Sequence, residues 1–354
     1  MSSKNLVFRA GSQAYGSIRR HGFAPERIGT LAGASGGAKW LVLSQLDRVI
    51  LGSIVPRLTG PVHLVGTSIG CWRFACYAQR DPLAAIRRFE EAYIHQRYSE
   101  HPDATEITAK SREILGILLG PDGIGEILGH PTFRTHILAV RARHLATTDR
   151  RWPLAFALAA AASLNAIDRR LLGLFFERAL FFDARNPPPF FNARGFGMQK
   201  IRIGLRNLED AIVATGSIPL VLAGVRNIDG AASGVYRDGG VVDYHLDLAL
   251  GDGDRLVLYP HFFDRIVPGW FDKKLHWRGP QPSHVANTVL VSPSPAFVAR
   301  LPNGKIPDRH DFRRHEPAER IRIWKRVVAE CEALGEELHD VVATGTLERR
   351  LEPL

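Results

Sequence analysis

Two apolar runs, RIGTLAG (27–33) and PVHLVG (61–66), each end in glycine and pass at once into helical spacing. A buried strand that turns sharply into a helix, twice in succession, restricts a chain to parallel strands joined by helical crossovers. The first helix would be AKWLVLSQLDRVI, with Leu41, Leu43, Leu46, Val49 and Ile50 at helical positions; the second would be SIGCWRFACYAQR. THILAVRAR (135–143), QKIRIGL (199–205), DRLVLYP (254–260) and NTVLVSP (287–293) are further strand candidates. Residues 81–129 read as mostly helical, broken near Pro102 and Pro121, and 152–182 as one very apolar helical stretch ended by NPPPF. LEDAIVATGSIP forms a short helix ending before Pro219, and the chain from about 316 onward reads as amphipathic helix. The expected class is α/β with a mostly parallel central sheet. No internal repeat, low-complexity segment or clear linker interrupts the 354 residues, so one domain over 1–354 is expected. Its motif-bearing core covers about 27–260 and its helical C-terminal extension about 310–354.

Both turns carry the pattern G-x-S-x-G: Gly33-Ala34-Ser35-Gly36-Gly37 and Gly66-Thr67-Ser68-Ile69-Gly70. Chemistry uses this pattern to hold a nucleophile at the tip of a strained strand–helix turn, with small residues on either side to avoid a clash. Ser68 is the better candidate, because VHLV and CWRFACYAQ flank it as a clean strand and a clean helix. In GASGGAK, the consecutive glycines instead bring bare backbone N–H groups toward a ligand, as an oxyanion hole requires. A phosphate-binding loop at 33–39 does not fit: Ala38 and Trp40 occupy positions that need Gly and Ser or Thr, and Ser35 breaks G-x-G-x-x-G.

A serine nucleophile needs a base. Among 14 histidines, His245, His261 and His284 follow carboxylates in the order a Ser–His–Asp triad takes in ordinary α/β-hydrolases, yet none sits in a glycine-rich turn. Asp238, in YRDGGVVDYHLD, follows a short strand and precedes Gly239-Gly240, where bare backbone lets a partner crowd close.

Taken together these motifs resemble the patatin-like phospholipases. That family carries an oxyanion loop of the type G-G-G-x-[KR]-G, a G-x-S-x-G elbow some thirty residues on, and a later D-G-[GA] turn. Here the loop corresponds to Ser35-Gly36-Gly37-Ala38-Lys39-Trp40, the elbow to 66–70, and the turn to Asp238-Gly239-Gly240. Ala214-Thr215-Gly216-Ser217-Ile218-Pro219 resembles the family's A-S-x-A-I-P segment. The resemblance implies a patatin-like three-layer α/β/α fold and a Ser68–Asp238 dyad. It implies an oxyanion hole at Gly36 and Gly37, with Ser35, Lys39, Gly66, Gly70, Gly239 and Gly240 in support. The activity it implies is lipid acyl hydrolysis of the phospholipase A or lysophospholipase type. Ser35 and Trp40 replace loop glycines, and Trp40 would narrow or reshape the entrance. A non-catalytic lipid-binding protein keeping the fold is the alternative from another class.

The remaining features set limits. The net charge of +10 favours anionic partners, an acidic membrane surface among them. The arginines are scattered in pairs, with no zinc-finger spacing or aromatic RNA signature, so no nucleic acid is expected. Cys71, Cys76 and Cys331 form no CxxC, and an odd count fits reduced thiols in the cytoplasm. The N-terminus lacks the apolar core of a secretory signal. The run PLAFALAAAASLNAI falls short of the roughly 20 residues that span a bilayer. Within 154–182, the phenylalanines 175, 176, 181 and 182 beside Arg169, Arg170 and Arg178 would make either a core helix or an interfacial lid. There is no HExxH, and His310 and His315 are not at a metal spacing, so neither metal nor organic cofactor is expected.

Overall fold

A computed structural model describes residues 4–193 and 195–354. Its strands are β1 (Leu6–Ala10), β2 (Ile28–Gly33), β3 (Val62–Thr67), β4 (Phe133–Ala142), β5 (Phe176–Phe182), β6 (Met198–Arg202), β7 (Val225–Arg226), β8 (Val235–Asp238), β9 (Leu256–Pro260), β10 (Thr288–Pro293) and β11 (Leu351–Pro353). They form one sheet in the order β11-β1-β10-β9-β2-β3-β4-β5-β6, with β8 also on β4 and β7 on β8. The five central strands β10, β9, β2, β3 and β4 are all mutually parallel. Every residue of β2, β3, β9 and β10 is buried, which requires helices on both faces of the sheet. The expected α/β class, a three-layer α/β/α arrangement, is the observed one.

The helices are α1 (Ser12–His21), α2 (Ser44–Val49), α3 (Ile69–Tyr77), α4 (Pro82–His95), α5 (Ala104–Leu119), α6 (Gly123–Gly129), α7 (Arg151–Ile167), α8 (Leu208–Thr215), α9 (Pro295–Arg300), α10 (Asp311–Arg314), α11 (Pro317–Glu330) and α12 (Glu332–Thr344). Helix α3 starts immediately after Ser68 and is buried along its whole length. It is tied to α2 by a buried ion pair: Arg73 donates from Nε to Asp47 Oδ2 at 2.8 Å, and the Tyr77 hydroxyl donates to Asp47 Oδ1 at 2.8 Å.

Three expectations need correction. The stretch 152–182 is not one helix. Helix α7 ends at Ile167, a 3-10 turn follows, and 176–182 is strand β5, paired antiparallel with β4. Phe176, Phe181 and Phe182 are therefore core, and Arg178 is no snorkelling side chain but a buried partner of Asp243, with bonds of 2.6 and 2.7 Å. The C-terminal segment does not stay helical: it ends in β11, which pairs parallel with β1. Trp40 does not shape an entrance. It is fully buried and stacked on Phe89, with ring centroids 4.5 Å apart.

Candidate active site

The register of β4 explains how two residues 170 positions apart meet. Strand β3 runs parallel along one edge of β4, ending with Thr67 opposite Leu138. Strand β5 occupies the other edge from His136 to Ala142. The antiparallel β8 must therefore take the β3 edge beyond Leu138, and its last residue, Asp238, lies opposite Ala139. Strands β3 and β8 thus meet head to head along β4, carboxyl end to carboxyl end. Ser68 is the first residue past one end, and Asp238 the last residue of the other.

At that junction the Ser68 hydroxyl donates to Asp238 Oδ2 at 2.8 Å. Ser68 has φ 51° and ψ −130°, a conformation that non-glycine residues rarely adopt and that marks a strained elbow. The elbow closes tightly. A Cβ on Gly70 would lie 2.2 Å from the Gly33 carbonyl oxygen, and one on Gly66 would lie 2.8 Å from the Cys71 nitrogen. The strain is held by the segment before the aspartate. Thr215 Oγ1 accepts from the Ser68 amide at 2.8 Å and donates to the Leu138 carbonyl. The Ser217 carbonyl accepts from the Asp238 amide at 3.0 Å.

Asp238 is fixed on its other side by the Gly240 amide, which donates to Oδ1 at 2.7 Å. A Cβ on Gly239 would meet the Leu138 carbonyl at 2.0 Å, so bare backbone is needed for β8 to turn this close to β4. Burial pushes the Asp238 carboxyl up to about 6, against bonds from Ser68 and Gly240, the nearby Lys273 charge and the Ser35 hydroxyl, all of which pull it down. Ser35, anchored through its amide to the Tyr244 carbonyl at 3.0 Å, therefore serves the carboxylate as well as the loop.

The glycine loop opens the 3-10 turn 37–43. Among the described residues the amides of Gly36 and Gly37 donate to no protein group, and neither does that of Ile69, the residue after Ser68. Lys39 does not pin this loop through an ion pair. Its ammonium stands 5.8 Å from the Phe262 ring centre, while Lys305 takes Asp308 and Asp311 as partners. Burial holds Lys39 below its usual range. Lys273 completes the electrostatics: its ammonium lies 4.1 Å from the Tyr244 ring centre, and desolvation with repulsion from Lys39 and Arg309 brings it down to about 7.

The three histidines do not join the site. Among the described residues none hydrogen-bonds Ser68 or Asp238. His245 Nδ1 accepts from the Val267 amide, His261 Nδ1 accepts from the Phe263 amide, and His284 bonds Asp247. No cluster of three or more His, Cys, Asp or Glu side chains suited to a metal occurs among the described residues. The three cysteines are free and buried. The dyad is nearly closed to bulk water, Ser68 being 3% and Asp238 4% exposed. A cavity of about 380 Å³ lies close by and is lined by Lys273 and Asp272, but neither Ser68 nor Asp238 lines it.

Sequence reasoning missed Thr215 and Ser217 as anchors, and it missed Lys273, Tyr244 and Ile69 altogether. Only the likeness of 214–219 to a family segment pointed to that stretch; Lys273 has no local signal, because it reaches Asp238 from a separate 3-10 turn, 270–274, distant in the chain.

No family model and no curated protein matches the sequence. Among solved structures, the chain is similar to VipD from Legionella pneumophila, at 12% identity and a TM-score of 0.33. The match covers 69% of this chain and spans about half, 51%, of the VipD chain.

Proposed function

We propose that the protein is a serine hydrolase of carboxylic esters, with lipid acyl esters as substrates and Ser68 and Asp238 as a patatin-like dyad. The observation that carries this reading is the 2.8 Å bond from the strained Ser68 hydroxyl to a buried carboxylate whose affinity for protons is raised. In the first half-reaction Asp238 accepts the hydroxyl proton as Ser68 Oγ attacks the ester carbonyl. The oxyanion forms beside the free amides of Gly36, Gly37 and Ile69. Losing one such donor typically costs about 2.7–4 kcal/mol of barrier lowering. Asp238 then returns the proton to the departing alkoxide, leaving an acyl-serine. In the second half-reaction Asp238 takes a proton from water, the hydroxide attacks the acyl carbonyl, and the carboxylic acid leaves as Ser68 regains its proton. A carboxylate of ordinary acidity would be a poor base for this work; one shifted to about 6 is better matched to neutral pH. A Ser–His–Asp esterase finds no support, since no histidine reaches Ser68.

The test is a panel of acyl esters, short p-nitrophenyl esters through phospholipids, with the wild type beside Ser68→Ala and Asp238→Asn. Labelling by a fluorophosphonate probe runs in parallel. Wild-type turnover and labelling at Ser68, both falling at least a hundredfold in either variant, is the expected result. Absence of labelling with every ester untouched, in a folded wild type, favours a non-catalytic lipid binder.

A further inference from the structure

Among the described residues ten large apolar side chains are exposed, and six of them gather on α7 and the segments packed on it. Trp152, Phe156 and Ile167 project from α7 itself, at 77%, 68% and 76% exposure. With Ala159 and Ser163 they follow the 4-3-4-4 spacing of a single helix face. Leu145 and Leu174 lie on two of the 3-10 turns that contact α7. Trp277 precedes Arg278, which donates to the carbonyl of Asn165 near the end of α7. The opposite face of the helix is committed to the interior: Leu154, Ala157, Leu158 and Ala161 pack with Phe176, Val241 and Val242.

The rim of this patch is basic. Arg150, Arg151 and Arg170 are exposed around it, and the Arg151 guanidinium sits 5.6 Å from the Trp152 ring centre. The acidic residues in the same place are already engaged, Asp149 by Arg226 and Arg237, and Asp168 by Arg170. The molecule as a whole carries +10.

We propose that the outer face of α7 is a docking surface for an anionic lipid bilayer, with Trp152, Phe156, Ile167 and Trp277 at the headgroup–acyl boundary and the arginines on acidic headgroups. No helix among the described residues is long and apolar enough to cross a membrane, so this helix lies in the interface plane. A second copy of the chain is the poorer occupant. A symmetric pair would bring both arginine sets into one interface with no free carboxylates to meet them. The surface also stands in a useful place. One helix layer separates it from Val241 and Val242, which follow the Asp238-Gly239-Gly240 turn on the chain, and Asn165 bonds Asp272 at 2.7 Å beside Lys273. Docking here does not depend on the dyad being active.

The experiment is co-sedimentation of the full chain with phosphatidylcholine vesicles, with and without phosphatidylserine, alongside tryptophan fluorescence. The expected result is binding only to the phosphatidylserine-containing vesicles, with a blue shift in emission and loss of binding in high salt. Arg150→Gln/Arg151→Gln should weaken partitioning on the order of 25-fold, at roughly fivefold per arginine, while Arg170, paired with Asp168, contributes less. Trp152→Ser/Phe156→Ser should weaken binding and reduce the blue shift, leaving at most the share that comes from Trp277. Ile117→Ser, which alters an exposed apolar residue on α5, should bind as the wild type does. Equal binding to both vesicle types, insensitivity to the α7 variants, or an equal loss with Ile117→Ser overturns the proposal. So does a dimer, seen by sedimentation equilibrium, that Trp152→Ser/Phe156→Ser dissolves.

Discussion

At the scale of the residue, Asp238 carries a cost that can be measured without any substrate. Its folded value of about 6 lies above the ordinary 3.8, so the unfolded chain ionises more readily than the fold does. Stability is then fullest below the unfolded value, falls as pH rises through the interval up to about 6, and stays reduced beyond it. At roughly 1.4 kcal/mol per tenfold change in proton affinity, the deficit is about 3 kcal/mol. Asp238→Asn keeps both contacts, with its carbonyl accepting from Gly240 and its amide donating to Ser68. The variant is expected to unfold at higher denaturant than the wild type at pH 8 and at nearly the same denaturant at pH 3, below the unfolded value. Equal midpoints at both pH values would mean that burial does not strain this carboxylate. The same ionisation should give wild-type kcat/KM an acid limb near pH 6, because the base must be charged to accept a proton. The tight turns that bring Ser68 and Asp238 together were legible in the sequence for a steric reason: a Cβ at Gly70 or Gly239 would strike a carbonyl, so local composition records the turn. Lys273 and Thr215 were not legible as site residues. They act through space, and nothing in their neighbours' spacing betrays it. Trp40 was misread because its place in a loop motif said nothing about Phe89 waiting beneath it.

At the scale of the element, the informative failure is β5. FERALFF offers apolar residues at both helical and strand spacing, and the preceding α7 extends the helical reading into it. What decides for strand is long-range: two edges of β4 need covering, and Arg178 must reach Asp243. That ion pair is 4% and 1% exposed at its two side chains, and it ties β5 to the segment that leaves the Asp238 turn. Removing Arg178 leaves the buried Asp243 with the longer contact to Arg169 at 3.7 Å, and breaking a buried pair typically costs about 3–5 kcal/mol. Arg178→Met should lower stability to urea by that order, and Arg178→Met/Asp243→Leu should recover more than half of the loss. A double variant no more stable than the single one would show that geometry at this site, not the uncompensated charge, sets the penalty. The β3 and β8 elements were both read from the sequence as strands near turns, but their head-to-head meeting was not. It follows from the register along β4, which no local pattern encodes.

At the scale of the whole molecule, the two ends of the described chain close one edge of the sheet together. The C-terminal segment was expected to remain helical, yet after α12 the chain turns back and lays β11 along β1. Leu347 and Leu351 are buried there, the Leu354 amide donates to the Ala10 carbonyl at 2.9 Å, and Glu337 on α12 accepts from the Asn5 amide at 2.8 Å. Helix α12 in turn packs on α2, which holds Asp47 against Arg73 of α3, the helix that starts after Ser68. The far edge of the sheet is thereby linked to α3 through packed side chains, although β11 is far from the dyad in strand order. Truncation after Gly345 would strip two buried leucines, each worth about 1.5–3 kcal/mol, and would leave β1 without its parallel neighbour. The expected outcome is a loss of about 3–6 kcal/mol in urea unfolding and faster proteolysis within residues 4–10. Fluorophosphonate labelling at low temperature should survive, since Ser68 and Asp238 are held by β4 and α8 rather than by this edge. If labelling vanishes while the truncated chain still unfolds cooperatively, the dyad depends on this edge, and the independence argued from strand order is wrong.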